Sequence, residues 1–176
     1  WTVDNNDSRL SYVTIKANTI AEVNYFEEVD GLLDADGHFE LNIMLASVET
    51  GIPIRNERMR QLFFDTEMFP TATLSASLDM EPLLSLGAGE QTVLVTDAQL
   101  TLLGNPTDLT VEAVVARLDE DTLLVSSRQP LVINAEALGL GAGIEQLREI
   151  AGLPSISPAV PVSFHLTLRE STAPEP

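Results

Sequence analysis

The 176-residue chain carries 27 Asp and Glu against nine Lys and Arg, a formal charge of -18 at pH 7, with 44% hydrophobic and 5% aromatic residues. That length suits one domain with a sizeable core, the negative field opposes nucleic acid and anionic bilayers, and no run reaches the ~20 apolar residues of a membrane span. The absence of cysteine excludes disulfides, thiolate nucleophiles and Cys-based metal sites.

The chain begins at Trp1, without an initiator Met or an apolar export segment, the start expected of a chain whose signal peptide has been removed. After a turn at "DADG", 34–37, "HFELNIML" alternates Phe39, Leu41, Ile43 and Leu45 with His38, Glu40, Asn42 and Met44. Such alternation marks a half-buried antiparallel strand. "SVETGIPIRNERMRQLFFDTEMFP", 47–70, breaks it by concentrating Arg55, Arg58 and Arg60, three of the nine cations, just before Phe63, Phe64, Met68 and Phe69. Met59, Leu62 and Phe63 at i, i+3, i+4, with Pro53 and Asn56 as start signals, predict a short helix over 56–64.

Alternation resumes at 71–79, with Ala72, Leu74, Ala76 and Leu78 on one face, and again at 97–103, with Ala98, Leu100 and Leu102. "LGAGE" at 86–90 and "GNPTD" at 104–108 read as turns. Leu109, Val111, Ala113 and Val115 form the next strand face, and "DED" at 119–121 the next turn. "IEQLREIAG" predicts a second helix, with Ile144, Leu147 and Ile150 near one face and Gly152 then Pro154 ending it. "VPVSFHLTLR" supplies Val160, Val162, Phe164, Leu166 and Leu168, and "STAPEP", 171–176, reads as a flexible tail or linker. Many short strands at this spacing predict an all-β antiparallel sandwich or barrel with one or two short helices.

Alanine recurs on the inward faces at 72, 76, 98 and 113. Small inward residues either leave room for one ligand in a roughly eight-stranded barrel or pack beneath large neighbours. Catalytic chemistry has little to work with. His38 and His165 stand on separate strands in polar phase, and neither a nucleophile elbow nor a metal-ligand spacing occurs. "GLGAG" at 139–143 lacks the Lys-Ser/Thr of a phosphate loop. Arg55 and Arg58, about 60° apart on a helix, suit a phosphate or carboxylate clasp, or pairing with neighbouring Glu57, Asp65, Glu67 or sheet carboxylates.

The opening "WTVDNNDSRLSYV", the long block containing Thr50-Gly51, Arg55-Asn56, Arg58-Met59-Arg60 and Phe69-Pro70, "AQLTLLGNPTDLTV", and "SSRQPLVINAEALGL" together resemble the YceI family of lipocalin-like, polyisoprenoid-binding proteins. The resemblance runs over nearly all of 1–170 and implies an extended antiparallel barrel there. It departs from the family pattern at Asn105-Pro106 and Gln129-Pro130.

What the resemblance implies is a non-enzymatic carrier holding a long isoprenoid lipid, a quinone or a polyprenyl phosphate, in the barrel lumen. No obligatory cofactor, no metal and no stable membrane insertion are expected; a homodimer is allowed. A quinone-based redox module serving a partner, or a ligand-free interaction module with a filled barrel, are the alternatives. The lumen lining expected is Leu41, Ile43, Leu45, Ala72, Leu74, Ala76, Leu100, Leu102, Val111, Ala113, Val162, Phe164 and Leu166. Arg55, Arg58 and Arg128 are the candidate head-group or structural cations, Arg55 and Arg58 being expected to tie their helix to sheet carboxylates. Phe63, Phe64 and Phe69 would seat that helix, and it and the segment 136–153 would cap or flank the lumen. The setting implied is the periplasm or the exterior.

Overall fold

The computed structural model describes residues 1–171. In chain order the strands are β1 (Thr2–Lys16), β2 (Ile20–Phe26), β3 (Val29–Leu33), β4 (His38–Met44), β5 (Val48–Glu49), β6 (Thr71–Ser77), β7 (Gln91–Leu102), β8 (Asn105–Arg117), β9 (Thr122–Ser127), β10 (Leu131–Asn134) and β11 (Ala159–Arg169). Three helices interrupt them, α1 (Pro53–Arg58), α2 (Glu81–Leu84) and α3 (Gly141–Ala151). Antiparallel pairing runs β1-β3-β4-β6-β7-β8-β9-β11 and returns to β1, an eight-stranded closed barrel, while β2, β5 and β10 extend the wall at one end. Closure removes the exposed edges that a sheet otherwise carries. The strands expected at 38–45, 71–79, 97–103, 108–117 and 160–169 correspond to β4, β6, β7, β8 and β11. Of the expected tail, only Ser171 falls within the described residues.

Register places the apolar phases against one another: Leu41 opposite Leu74, Leu74 opposite Leu100, Leu166 opposite Val125, and Leu10 opposite Phe164. β1 lacks simple alternation because its register shifts between Asp4 and Arg9, which face Thr167 and His165. Five steps on β1 thus match two on β11. The surplus residues change the inward phase from odd (Val3) to even (Leu10, Tyr12), and there β1 exchanges β3 for β2 as its neighbour. Thr167 holds this bulge, its amide donating to Ser8 Oγ at 3.0 Å and its hydroxyl to the Asp7 carbonyl at 2.9 Å. Arg169 clamps it from outside, at 2.7 Å from Asp4 and 2.8 Å from Asp7, and its hydrogen bond holds the Asp4 carboxyl below its ordinary pKa.

The turn expected at 104–108 is shorter than that. β7 and β8 are joined by Leu103 and Gly104 alone, both at positive φ (51° and 74°), the two-residue hairpin geometry that fits strand twist. Pro106 already pairs with Thr101. It is tolerated because β9 reaches only 113–117 of β8, leaving Pro106 on an unpaired flank.

The two ends of the barrel differ. At one, α2 lies across the opening with Leu83 buried. Arg117, also buried, donates to the carbonyls of Leu83 (3.3 Å) and Glu120 (3.0 Å), with its guanidinium 5.3 Å from the centre of the Trp1 ring. At the other end stand α1, the β5 segment, α3 and the strand ends of β1 and β2. Gly152, at φ 63°, ends α3 as expected, and the chain after it is stitched to β1 by Ala17 N–H to Ser155 O (2.9 Å) and Ser157 N–H to Ile15 O (2.8 Å).

Candidate functional site

The helix expected over 56–64 begins at Pro53 and changes character halfway. Beyond Arg58 comes a π-helical turn, Met59–Phe63, in which the Phe64 amide bonds the Met59 carbonyl at 2.9 Å. This extra residue per turn rotates the buried face, so that Met59 and Phe64 are buried while Leu62 and Phe63 are half-buried. Asn56 is not a start signal. Buried, it accepts from the Thr50 amide (2.9 Å) and hydroxyl and donates to Glu49 (3.0 Å), fixing the Thr50-Gly51 turn ahead of the helix. Phe69 does not seat the helix; it lies half-buried beside the Gly104 turn.

Inside the barrel is an apolar cavity of about 430 Å³, within the range of small-molecule sites. Leu41, Ile43, Leu45, Ala72, Leu74, Leu100, Leu102, Val111, Val162 and Phe164 line it. Ala76, Ala113 and Leu166 lie beyond it, around a void of only about 70 Å³ toward the α2 end. There the small residues open little space, because Phe39, Leu78, Leu83 and Leu94 fill it. Sequence patterning missed the wall given by Leu10, Tyr12 and Phe26 on β1 and β2. It also missed Leu131 and Ile133 on β10, and Ile54 on α1. Ile144, Leu147 and Ile150, the expected face of α3, close the cavity from above. A chain of rings runs along one side: Tyr12 to Phe26 at 5.5 Å, Phe26 to Phe64 at 5.8 Å, Phe64 to Phe63 at 4.8 Å.

The wall changes polarity toward the mouth. The paired rows of β1 and β2 read Leu10 with Phe26, then Tyr12 with Asn24, then Thr14 with Glu22, and Lys16 also reaches the cavity. Ile52, Ile54 and Ile150, 44%, 59% and 43% exposed, rim the opening.

Arg55 ties α1 to the sheet. Its Nη1 donates to Glu22 Oε2 at 2.7 Å and its Nη2 to the Thr50 carbonyl. The hydrogen bond from Lys16, with the charges of Arg55 and Lys16, holds the Glu22 carboxyl below its ordinary pKa. Arg58, expected to share this role, does not: it lines the cavity and, among the described residues, meets no carboxylate. One turn from Arg55, it faces the lumen opening while Glu22 is already held by Arg55 and Lys16. Arg60 anchors the helix instead, at 2.7 Å from the Ala46 carbonyl. Arg128 pairs with Glu112 at 3.5 Å outside the barrel, with 55% of its side chain exposed, and takes no part in the cavity. Burial pushes the Tyr12 phenol well above its ordinary pKa, opposed by the Arg55 charge.

Other concavities are less suited to an apolar ligand. One of about 1540 Å³ is an open trough on the outer faces of β3, β4, β6, β7 and β8, edged by Asp30, Asp79, Asp97 and Asp108. Asp34, Asp36 and His38 cluster on the exposed β3–β4 turn, but Asp34 Oδ1 is engaged in shaping it, accepting from the amides of Asp36 (2.9 Å) and His38 (2.8 Å). His165 is exposed on β11. Among the described residues no helix is long and apolar enough to cross a membrane.

The same barrel occurs in solved structures. A polyisoprenoid-binding domain from Saccharophagus degradans implicated in plant cell wall breakdown matches at 35% identity and a TM-score of 0.94, covering 97% of this chain and 98% of that one. Burkholderia cenocepacia BcnA matches at 22% identity and a TM-score of 0.71, over 94% and 98% of the two chains. A Campylobacter jejuni YCEI protein follows at 14% and 0.60, over 85% of each. These last two share the fold. No curated protein matches the chain significantly. The YceI-like domain family matches residues 1–168, and with nearly the whole barrel inside that match the chain belongs to the YceI-like family.

Proposed function

We propose that this protein is a non-enzymatic carrier for a long-chain isoprenoid lipid, an isoprenoid quinone or a polyprenyl phosphate, with the tail in the lumen. The observation that carries the reading is an apolar cavity blocked at one end and polar at its mouth. The 35% identity to a polyisoprenoid-binding domain supports it. We propose further that it works in the periplasm or outside the cell.

Volume limits the cargo. At the ~30 Å³ that one water claims in the liquid, a cavity of about 430 Å³ holds roughly 14 groups of that size, about three isoprene units. Burying those ~15 carbons at ~0.8 kcal/mol each yields about 12 kcal/mol gross. Association costs offset much of that, so tail burial dominates affinity but leaves head-group contacts room to matter.

Organic extraction of the purified protein followed by mass spectrometry should return an isoprenoid lipid. In calorimetry, quinones of increasing tail length should bind more tightly up to about three isoprene units and then level off. Tail-free quinones binding as well as long ones would sink the proposal. A clean extract with no binding of added isoprenoids would mark a ligand-free interaction module. A bound quinone reduced in place and reoxidised by an acceptor would mark a redox module.

A further inference from the structure

The polar atoms at the lumen mouth do not balance one another. Lys16 and Arg55 share the one carboxylate of Glu22. Arg58, half-buried in the same wall, has no carboxylate or carbonyl partner among the described residues. Two further donors there are fully buried without a hydrogen-bond partner, the Tyr12 hydroxyl and Arg55 Nε. Tyr12 sits opposite Asn24, one step deeper than Thr14, and packing on Phe26 holds its ring in the cavity wall. Buried polar groups are nearly always paired, and leaving one unpaired is costly. What is missing is specific. Arginine only donates, and a phenol whose ionisation burial opposes stays protonated at neutral pH. The absent partner is therefore an acceptor oxygen.

We propose that Tyr12, Arg55 and Arg58 form a head-group seat that receives an acceptor oxygen of the lipid, a quinone carbonyl or a phosphate oxygen. This rests on the carrier reading above and assigns its recognition chemistry. The wall carries the charges of Lys16, Arg55 and Arg58 against Glu22. It therefore accepts a neutral carbonyl and attracts a phosphate, although the chain as a whole is strongly acidic.

The test uses delipidated protein and three ligands with the same three-isoprene tail: a quinone, a prenyl phosphate and a hydrocarbon without a head group. Wild type should bind at least one headed ligand about tenfold or more tighter than the hydrocarbon, about 1.4 kcal/mol. Tyr12→Phe and Arg58→Gln should each shrink that preference several-fold. Tyr12→Phe removes an unpaired hydroxyl, so the thermal midpoint of the unliganded protein should hold or rise, which separates lost recognition from lost folding. A preference confined to the phosphate and removed by Arg58→Gln assigns an anionic head. One confined to the quinone and removed by Tyr12→Phe assigns a carbonyl. Equal binding of all three ligands, or a preference that survives both substitutions, overturns the seat while leaving the carrier intact. Failure of the hydrocarbon and both headed ligands to bind overturns the carrier and the seat together.

Discussion

Arg55 and Arg58 stand three positions apart on α1, yet only one holds the helix to the barrel. Arg55 joins a partly shielded ion pair to Glu22 and a backbone contact to Thr50. Arg55→Ala should therefore cost about 1–2 kcal/mol in denaturant unfolding, the range of charge-assisted hydrogen bonds. Arg58→Ala, with no ion pair to lose, should stay within about 0.5 kcal/mol. The pH dependence has a definite sign. The Glu22 carboxyl titrates below its ordinary 4.5 when folded, so its stabilisation is present above pH 4.5 and fades as pH falls through the lower folded value. Wild type and Arg55→Ala should accordingly converge in stability on acidification below pH 4.5. The sequence shows the arginines but not this division between them. Helical geometry gives the angle between two side chains, whereas the deciding partner, Glu22, lies 33 positions away on a strand whose alternation is masked by polar inward residues such as Asn24.

At the level of elements, α3 closes the lumen against the π-helical turn, and Gly143 is where they meet. A Cβ built at Gly143 would lie 2.9 Å from Phe63 Cδ2 and 3.5 Å from its Cα. Gly143→Val should therefore push α3 off the turn, costing about 1–3 kcal/mol as overpacking does, a fall of several degrees in thermal midpoint. Release of a bound isoprenoid, followed by stopped-flow, should quicken. The strands that alternate cleanly, β4, β6, β7, β8 and β11, are legible in sequence because one face is wet and one dry. β1 is not, because its bulge changes phase midway. The π turn is hidden because i+4 and i+5 spacings draw on the same run of apolar residues, Leu62, Phe63 and Phe64. On those strands alternation gave the inward face but not the depth along it, so Ala72 and Val111 meet the cavity while Ala76, Ala113 and Leu166, in the same phase nearer α2, do not; the wall from β1 and β2, with Tyr12, was not legible at all.

For the molecule as a whole, charge is the dominant surface property. A net -18 over 176 residues makes the compact state repel itself, and the few ion pairs among the described residues, on Lys16 and on Arg55, Arg60, Arg128, Arg148 and Arg169, leave most carboxylates there uncompensated. Raising salt from ~0.01 to ~0.5 M shortens the screening length from about 30 Å to under 8 Å. Relief of long-range repulsion should outweigh the weakening of those pairs, and the thermal midpoint should rise. A midpoint that falls with salt would show that the pairs dominate. Composition makes this surface readable, as alternation makes the barrel readable. Neither reveals α2, a helix too short for any period, nor the Arg117 contacts that set it over one end.

That stoppered end dictates an order of events. If the protein carries a lipid as proposed, α2 with Leu83 across one end leaves the isoleucine-rimmed end as the way in, and the lipid would enter tail foremost and leave head foremost, without turning round inside. Whatever took such a cargo would meet the head group before any carbon of the tail. On that reading the protein would work as a blind sleeve and not as a conduit.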